Sequence, residues 1–436
     1  MERTLIKQTP EMVGTTVKLQ GWAETVRDMG KLTFIDLRDR TGKIQIVGYQ
    51  LMKDVTTESV IEIVGEVKKR PEKMINPDMI TGTVEIDVKE YKILSKSEPL
   101  PIPVIIEQGT NETESEKRMD YRWIDLRKEK NNLIFKVWTT FENAAREYFI
   151  QNEYMQMHSP KLIGAPSESG AEVFEVKYFE GKAYLAQSPQ FYKQMAMAAG
   201  YEKVFEFGPV FRAENSYTIR HATEFTGMDL EISYIESYKD VMAEEEKLIA
   251  HIITRIKEKH GEEIKKILGV EIVVPTIPFP KMTIAEAKVI LGKLGLPSEK
   301  EGDLSSEEEK ALGKYALEEL GHEFIFLTEY PQEFRAFYHM RSEDGKFSQS
   351  ADLIHKGLEI TTLAQREHRY EVLKAQALER GISQESIQFY LDFFRYGCPP
   401  HGGLGFGPAR FIMKLLDQPS IRETTYLFRN PKRLNP

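Results

Sequence analysis

The chain has 436 residues, a formal net charge of −9, and 41% hydrophobic and 29% charged residues. This length allows two or three domains with a sizeable core, and this composition is ordinary for a globular protein. No apolar run approaches the roughly 18 residues that a membrane span needs, and the N-terminus has no signal-peptide pattern. Cys398 is the only cysteine, which excludes an internal disulfide and a cysteine-based zinc site. We therefore expect a cytoplasmic protein without a membrane partner, and one too acidic to coat nucleic acid through bulk charge.

The first hundred residues have the pattern of a small all-β domain. Several of its segments alternate apolar and polar residues, and turn residues such as Thr41-Gly42 and Thr81-Gly82 separate them. The five predicted strands are VKLQGWAETV, KLTFIDLRD, KIQIVGY, SVIEIVGEVKK and TVEIDVKEYKIL. Five short strands of this kind favour a small barrel over residues 1–100.

A proline-rich and then polar stretch follows, and it predicts a hinge or linker at 101–130. Beyond it, Ile134, Trp138, Phe141 and Ala145 recur at helical spacing, which predicts an amphipathic helix with more apolar surface than one helix usually leaves for solvent. Alternating strands come next, and then further helices. We therefore expect an α+β domain over 131–436.

The segment GPVFRAENSYTIRHATEFTGMDLEISYI has the residues that a nucleoside triphosphate site needs. Arginine forks suit phosphate oxygens, carboxylates suit a metal or an ammonium group, and Phe225 suits a base. Its cations are Arg212, Arg220 and His221, and its carboxylates include Glu224, Asp229 and Glu231. From this segment alone, a solvated hairpin with scattered charges remains an equal alternative.

Two further segments place glycines and charges in apolar surroundings. In HGGLGFGPARF, glycines 402, 403, 405 and 407 allow a ligand to approach the backbone, and Arg410 enters a helix at its start. In SADLIHKGLEITTLAQREHRYE, the charges of Asp352, Glu359 and Arg366 require partners or ligands, because unpaired buried charges are unfavourable.

Together these segments resemble the class II aminoacyl-tRNA synthetases. FRAE…RH…EF resembles motif 2, the strand GLEI…QRE with GFGPAR resembles motif 3, and YMQMHSPKL with Pro160 resembles motif 1. QSPQFYKQ (187–194) and the N-terminal barrel look like the aspartyl enzymes of the archaeal and eukaryotic type, over nearly the whole chain. The resemblance implies an OB-type barrel, a catalytic domain with an antiparallel sheet, and ATP-dependent attachment of L-aspartate to tRNA. It also implies Mg²⁺ and a homodimer formed through the motif 1 region, 131–163.

The resemblance implies a role for each matched residue. Those expected to bind ATP are Arg212, Glu214, Arg220, His221, Phe225, Glu359, Gly407 and Arg410, with Arg212 and Arg410 acting in catalysis. Those expected to bind the amino acid are Glu168, Gln187, Gln190, Lys193, Asp229 and Arg366. Mg²⁺ is expected at Asp352, Glu359 and Thr362.

The choice of amino acid depends on Lys193 and Arg366. Two cations in a closed pocket favour a carboxylate, and facing them with a neutral amide would cost on the order of 2 to 5 kcal/mol. Asparagine stays open as a substrate, because REHRYEVL and ETTYLFRNPKRLNP look more like asparaginyl enzymes. A small-molecule adenylating or amidating enzyme and a non-catalytic RNA-binding paralogue are two further functions that the same fold could serve.

In the barrel, Phe34 falls on the polar face of its strand. With Arg27 and Gln45 it predicts a platform on which a single-stranded base stacks beside a polar side chain. The resemblance makes that base part of the anticodon.

The chain departs from the family pattern at a few positions. Leu363-Ala364 stands where two glycines are usual, and Pro408-Ala409 precedes Arg410. We expect the bulk of Leu363 to reshape the amino-acid pocket.

Overall fold

The computed structural model describes residues 1–77, 79–106, 109–167, 172–296, 300 and 302–436. It divides into two compact units, Met1–Asp125 and Leu126–Pro436. Among the residues described, no helix combines the length and the apolar character needed to cross a bilayer.

The first unit contains the predicted five-stranded barrel, closed in the order β1-β2-β3-β5-β4. Along its strands buried and partly exposed residues alternate, so Ile35 and Leu37 enter the barrel core while Phe34 lies on the outside. The strands are β1 (Thr16–Asp28), β2 (Leu32–Asp39), β3 (Gly42–Tyr49), β4 (Val60–Lys69) and β5 (Val84–Ser95). Two short helices complete the unit, α1 (Ser115–Asp120) and α2 (Arg122–Asp125).

The second unit is built on an eight-stranded sheet in the order β12-β13-β14-β15-β16-β11-β10-β6. Its six central strands pair antiparallel, and the edge strands β6 and β12 join in parallel. The sheet strands are β6 (Met155–Gln156), β10 (Lys203–Phe211), β11 (Glu224–Ser233), β12 (Lys281–Thr283), β13 (Phe324–Thr328), β14 (Ser350–His355), β15 (Leu358–Gln365) and β16 (His401–Phe406). A separate three-stranded sheet consists of β7 (Leu162–Ile163), β8 (Glu175–Tyr178) and β9 (Gly181–Leu185).

Helices cover this sheet and supply most of its core. They are α3 (Glu129–Gln151), α4 (Gln190–Ala198), α5 (Tyr238–Leu268), α6 (Ile284–Lys293), α7 (Ser306–Glu319), α8 (Tyr370–Glu379), α9 (Gln384–Arg395), α10 (Pro408–Leu415) and α11 (Ile421–Thr424). Helix α5 begins at a capping box between Ser237 and Asp240 and ends at Gly269, whose φ of 71° suits a glycine. These local signals explain why a 31-residue helix has sharp ends.

The apolar stripe of α3 faces the protein's own core. Ile134, Phe141 and Ala145 are fully buried, and the ring of Phe141 lies 5.6 Å from that of Phe411. Because this stripe is already covered within the chain, the idea that it is surplus surface for a dimer was wrong.

The strand register brings motifs 2 and 3 together. Asp229 on β11 pairs with Gly405 on β16, which in turn pairs with Thr362 on β15. Side chains from distant parts of the sequence therefore share one face of the sheet.

Candidate active site

A cavity of about 320 Å³ contains most of the residues that the sequence predicted for the catalytic unit. The predicted residues that line it are Gln187, Gln190, Lys193, Arg212, Glu214, Arg220, His221, Phe225, Asp229, Glu359, Thr362, Arg366, Gly407 and Arg410. Glu168 lies outside the described residues, and Asp352 sits next to the cavity rather than in its lining. Concave sites with converging polar groups are the usual form of a ligand pocket.

Motif 2 is a hairpin, and its loop carries the cations. The backbone amide of Arg212 donates to Thr223 O at 2.9 Å, which closes the loop at its base. The Arg212 guanidinium lies 5.5 Å from the centroid of the Phe225 ring, and its buried Nε has no hydrogen-bond partner among the described residues. A buried N–H group without a partner is unfavourable, so Arg212 is poised to bind an anion.

His221 contributes to the cavity as a neutral ring. Burial, together with the positive charges of Arg410, Arg220 and Arg212, lowers the pKa of His221 to about 4. Its Nδ1 lies within hydrogen-bond distance of the hydroxyls of Ser216 and Thr218. Near pH 7 the ring therefore offers a hydrogen bond to a ligand and adds no charge.

The side chain of Arg410 is hydrogen-bonded to the backbone of Arg220. Arg410 Nε donates to Arg220 O at 3.2 Å, and its Nη1 donates to Glu359 O at 3.3 Å. Pro408 is the first residue of α10, where its missing N–H is tolerated. Motif 3 thereby connects the motif 2 loop to β15.

The residues predicted to bind the amino acid belong to a cluster of four buried charges, of which Lys193, Asp229 and Arg366 line the cavity and Glu231 lies behind them. Lys193 Nζ lies 2.9 Å from Asp229 Oδ1 and 3.4 Å from Glu231 Oε2. Arg366 donates to both oxygens of Glu231, at 2.9 and 3.3 Å. Burial alone would raise the pKa of Glu231, but the charges of Arg366 and Lys193 hold that pKa below its ordinary value.

The pairing of Lys193 and Arg366 differs from the prediction. From the sequence we expect two cations that only a substrate anion neutralises, whereas in the structure both are paired inside the protein. Their carboxylate partners are Glu231, which no motif match had singled out for this role, and Asp229. Sequence spacing did not reveal the pairing, because Glu231 lies 135 residues from Arg366.

The two glutamines are also held by the protein. Gln187 Nε2 donates to Glu172 O at 3.2 Å, and Gln190 Nε2 donates to Gln194 Oε1 at 2.8 Å. Both side chains are buried, so their positions in the cavity wall are defined before any ligand arrives.

The expected metal site is a pair of carboxylates with a hydroxyl. Thr362 Oγ1 donates to Glu359 Oε1 at 3.3 Å. Burial, together with the negative charge of Asp352, raises the pKa of Glu359 to about 7. Nearby positive charge therefore does not offset the burial of the Glu359 carboxylate, and a cation fits beside it. Within the described ranges no three His, Cys, Asp or Glu side chains form a metal site, but Mg²⁺ usually takes only one or two carboxylates plus phosphates and water.

Arg335 is a cavity residue that the sequence analysis missed. Its guanidinium binds Asp352 through both carboxylate oxygens, at 3.0 and 2.5 Å, and lies 3.5 Å from the centroid of the Tyr330 ring. Asp352 thus has Arg335 as its immediate protein partner. RAFY stands outside the matched motifs, and nothing in its pattern distinguishes Arg335 from a surface arginine.

Gly403 and Leu363 do not contact the cavity as expected from the sequence. A Cβ at Gly403 would lie 2.1 Å from Leu230 O and 2.2 Å from Glu231 Oε2, so this glycine makes room for the protein's own charge cluster. Gly405 and Gly407 do line the cavity. Leu363 is fully buried in the core behind the sheet and is absent from the described cavity lining, so the expectation that it reshapes the pocket was wrong.

On the barrel, the three predicted base-binding residues lie on the outer surface. Phe34 is partly exposed and pairs with Arg27 across β1 and β2. Arg27 lies 3.4 Å from Asp36, and Gln45 Nε2 donates to Glu85 at 3.0 Å. Trp22, which the sequence analysis did not single out, also lies on the outer face, with the Arg38 guanidinium 5.9 Å from its ring.

Family models match both units. Residues 114–431 match the class II tRNA synthetases (D, K and N), and residues 17–94 match the OB-fold nucleic acid binding domain. The first match spans well over half of the chain. The protein therefore belongs to the class II tRNA synthetases of this group, as the motifs predicted.

Relatives that match over nearly the whole chain indicate which members of the family it resembles. The chain is 41% identical to the aspartate–tRNA(Asp/Asn) ligase of Aeropyrum pernix, over 99% of this chain and 98% of that one. It is 40% identical to the aspartate–tRNA(Asp) ligase of Pyrococcus abyssi, over 98% of each. The asparaginyl-tRNA synthetase of Pyrococcus horikoshii, solved with asparaginyl-adenylate, superposes with a TM-score of 0.90 at 31% identity over the whole of both chains.

The pairing of Glu231 with Arg366 predicts how much a substitution in the buried charge cluster lowers the stability of the protein. Arg366→Leu removes one of the cations that offset Glu231, whose side chain has no exposed surface. We expect the free energy of unfolding, measured by urea denaturation, to fall by about 3 to 5 kcal/mol, as when a buried pair is broken.

The matched control is Arg395→Leu, because Arg395 pairs with Asp392 on the surface, where both side chains are at least 39% exposed. Its expected loss is below about 1 kcal/mol. Equal losses in the two variants would refute the view that Glu231 needs Arg366.

Proposed function

We propose that the protein activates L-aspartate with ATP and transfers it to the 3′ end of tRNA. One observation carries the proposal: a single cavity is lined by an arginine set suited to a triphosphate and by the charges of Lys193, Asp229 and Arg366, which suit an amino acid. Relatives of the same length, at about 40% identity, are named aspartate–tRNA ligases. An anticodon-binding barrel has no use in an enzyme that adenylates a small molecule.

The proposed mechanism is positional and electrostatic. The aspartate α-carboxylate attacks the α-phosphorus in line and pyrophosphate leaves. A hydroxyl of the tRNA 3′ end then attacks the carbonyl carbon of the adenylate, and AMP leaves with the ester formed. Arg212 and Arg410 offset the charge that develops as the phosphates separate. Asp229 holds the substrate ammonium, and Phe225 packs against adenine. No side chain forms a covalent bond to substrate in this scheme.

Glu359 and Thr362, with Asp352 adjacent, are the residues that would hold Mg²⁺. When bound, the ion neutralises phosphate oxygens and orients them. Glu214 and His221 remain proposed contacts for adenine or the tRNA end and for the triphosphate. Lys193 and Arg366 remain the proposed contacts for the aspartate side chain, now with Glu231 between them.

tRNA is the proposed macromolecular partner, with the anticodon read on the outer face of the barrel. One relative is named for tRNA(Asp/Asn) and another for tRNA(Asp), and either kind of tRNA substrate fits this proposal. The cytoplasm, where translation takes place, is the proposed location.

A homodimer through the motif 1 region also remains a proposal, on a revised surface. The apolar residues exposed there are Ile150, Met155 and Leu162, each at least 50% exposed. Met155 belongs to β6, the two-residue strand at one edge of the large sheet. A second copy of the chain would cover this edge.

Amino-acid-dependent pyrophosphate exchange tests the proposed reaction. We expect exchange with aspartate in the wild-type protein, and a loss of at least about 100-fold in Arg212→Ala, because the variant lacks a group that stabilises the transition state. Faster exchange with asparagine than with aspartate would show that asparagine is the substrate. Near wild-type exchange in a folded Arg212→Ala variant would show that Arg212 does not take part in the mechanism.

The Phe34→Ala variant tests whether Phe34 on the barrel binds a base of the tRNA. We expect tRNA charging to weaken by about 1 to 3 kcal/mol, the value of one stacked base, while tRNA-independent aspartate activation stays unchanged. Leu32→Ala, on the same strand and 38% exposed, is the control. A parallel fall in both activities for Phe34→Ala would mean that Phe34 supports the fold rather than tRNA.

Sedimentation tests the dimer. The wild-type protein is expected to sediment at twice 50.3 kDa at micromolar concentration, and Met155→Glu is expected to shift it toward the monomer. Met195→Glu, at a 40% exposed position on α4, is the control. A wild-type species of 50.3 kDa would contradict the proposal.

A further inference from the structure

Glu309 connects the triphosphate residues to a helix that none of the family motifs includes. It lies in the first turn of α7, in the run SSEEEK, whose sequence is typical of a solvated helix start. Yet Glu309 is only 5% exposed. A carboxylate buried to this degree requires partners.

Its partners belong to the cavity. Arg220 Nη1 donates to both carboxylate oxygens of Glu309, at 2.8 Å each. The backbone amide of Glu359 donates to Glu309 Oε2 at 3.2 Å. Glu309 therefore joins the motif 2 loop to β15 from behind the cavity.

These bonds close a ring. Glu309 binds the Arg220 side chain, Arg220 O accepts from Arg410, Glu359 O accepts from Arg410, and the Glu359 amide returns to Glu309. Each of the other three members is a proposed ATP contact. The ring fixes their relative positions before ATP binds, which reduces the ordering that binding must impose.

The approach of α7 depends on two glycines. A Cβ at Gly313 would lie 2.1 Å from the backbone nitrogen of Gly357, and a Cβ at Gly357 would lie 2.7 Å from Lys310 Cα. Gly357 also has a φ of 75°, which side-chain-bearing residues rarely adopt. The turn between β14 and β15 thus lies directly against the helix, which places Glu309 at the cavity.

We propose that Glu309 is a positioning residue for ATP. Glu309 occupies one nitrogen of the Arg220 fork, and no protein partner among the described residues binds the Nε–H and Nη2–H groups. Those groups are then directed to the triphosphate. This role rests on the proposed function, since it assumes that the cavity binds ATP.

The test compares two neighbouring glutamates. Glu308 is also 5% exposed, but it binds Lys288 and caps α7 away from the cavity. Affinity for the Mg²⁺ complex of α,β-methylene-ATP is measured by calorimetry without amino acid. We expect Glu309→Gln to weaken binding by at least about 10-fold, as for a lost charge-assisted contact, and Glu308→Gln to change it less than about twofold.

Two further variants show whether Glu309 acts through Arg220. In an Arg220→Ala background, Glu309→Gln is expected to change affinity by less than about twofold, because coupled residues are not additive. Glu309→Asp, which keeps the charge, is expected to bind the analogue more tightly than Glu309→Gln. In exchange assays the KM for ATP is expected to rise while the KM for aspartate is unchanged.

Equal weakening by Glu308→Gln and Glu309→Gln would overturn the proposal, because it would show a general effect of helix stability. A 10-fold effect of Glu309→Gln that persists without Arg220 would also overturn it. Since the binding measurement needs no amino acid, absence of aspartate activation in a protein that binds the analogue would refute the proposed function and not the role of Glu309.

Discussion

Glu231 is charged at the centre of the large sheet, and its side chain has no exposed surface. Moving a lone carboxylate to such a place costs several kcal/mol, and the penalty is offset only if cations and donors surround it. Arg366, which follows β15, and Lys193 on α4 supply them. Three distant segments must therefore assemble together, and the geometry of this part of the cavity follows from that requirement.

The sequence of β16 follows from the same requirement. Gly403 leaves room for the Glu231 carboxylate, and its carbonyl accepts from Arg366 Nη2 at 2.9 Å. The next carbonyl, that of Leu404, accepts from Lys193 Nζ at 2.9 Å. A glycine-rich strand that looks like a ligand loop thus serves partly to satisfy charges inside the protein. Gly405 and Gly407, further along, face the cavity.

The sequence correctly predicted those features of the structure that depend on local residue patterns. Period-two alternation located the barrel strands, and the motif spacing located Arg212, Phe225 and Arg410 in one cavity. It did not predict partners that only tertiary packing creates, such as Glu231 for Arg366 or Arg335 for Asp352. Glu309 was missed for the same reason, because a buried glutamate and a solvated one look identical in a run of acidic residues. The direction of the Leu363 side chain depended on strand register, which resemblance alone did not fix.

The balance of charge in the cavity separates two kinds of recognition. The charge of Glu359 is incompletely compensated, as its raised pKa shows, and Arg212, although 3.7 Å from Glu214, keeps a buried Nε without a partner among the described residues, so a cation and an anion suit these two places. In the cluster of Lys193, Arg366, Asp229 and Glu231, two positive charges already meet two negative ones. Before a ligand enters, this cluster is therefore balanced in charge.

Selection in that cluster depends on the direction of hydrogen bonds. Lysine and arginine are donors only, so they suit both oxygens of a carboxylate, whereas the carboxylates nearby accept from an amide nitrogen. Lys193, Asp229 and Arg366 line the cavity, whereas the Glu231 carboxylate is fully buried and accepts from Arg366 through both oxygens, so a ligand there meets the two donors and Asp229.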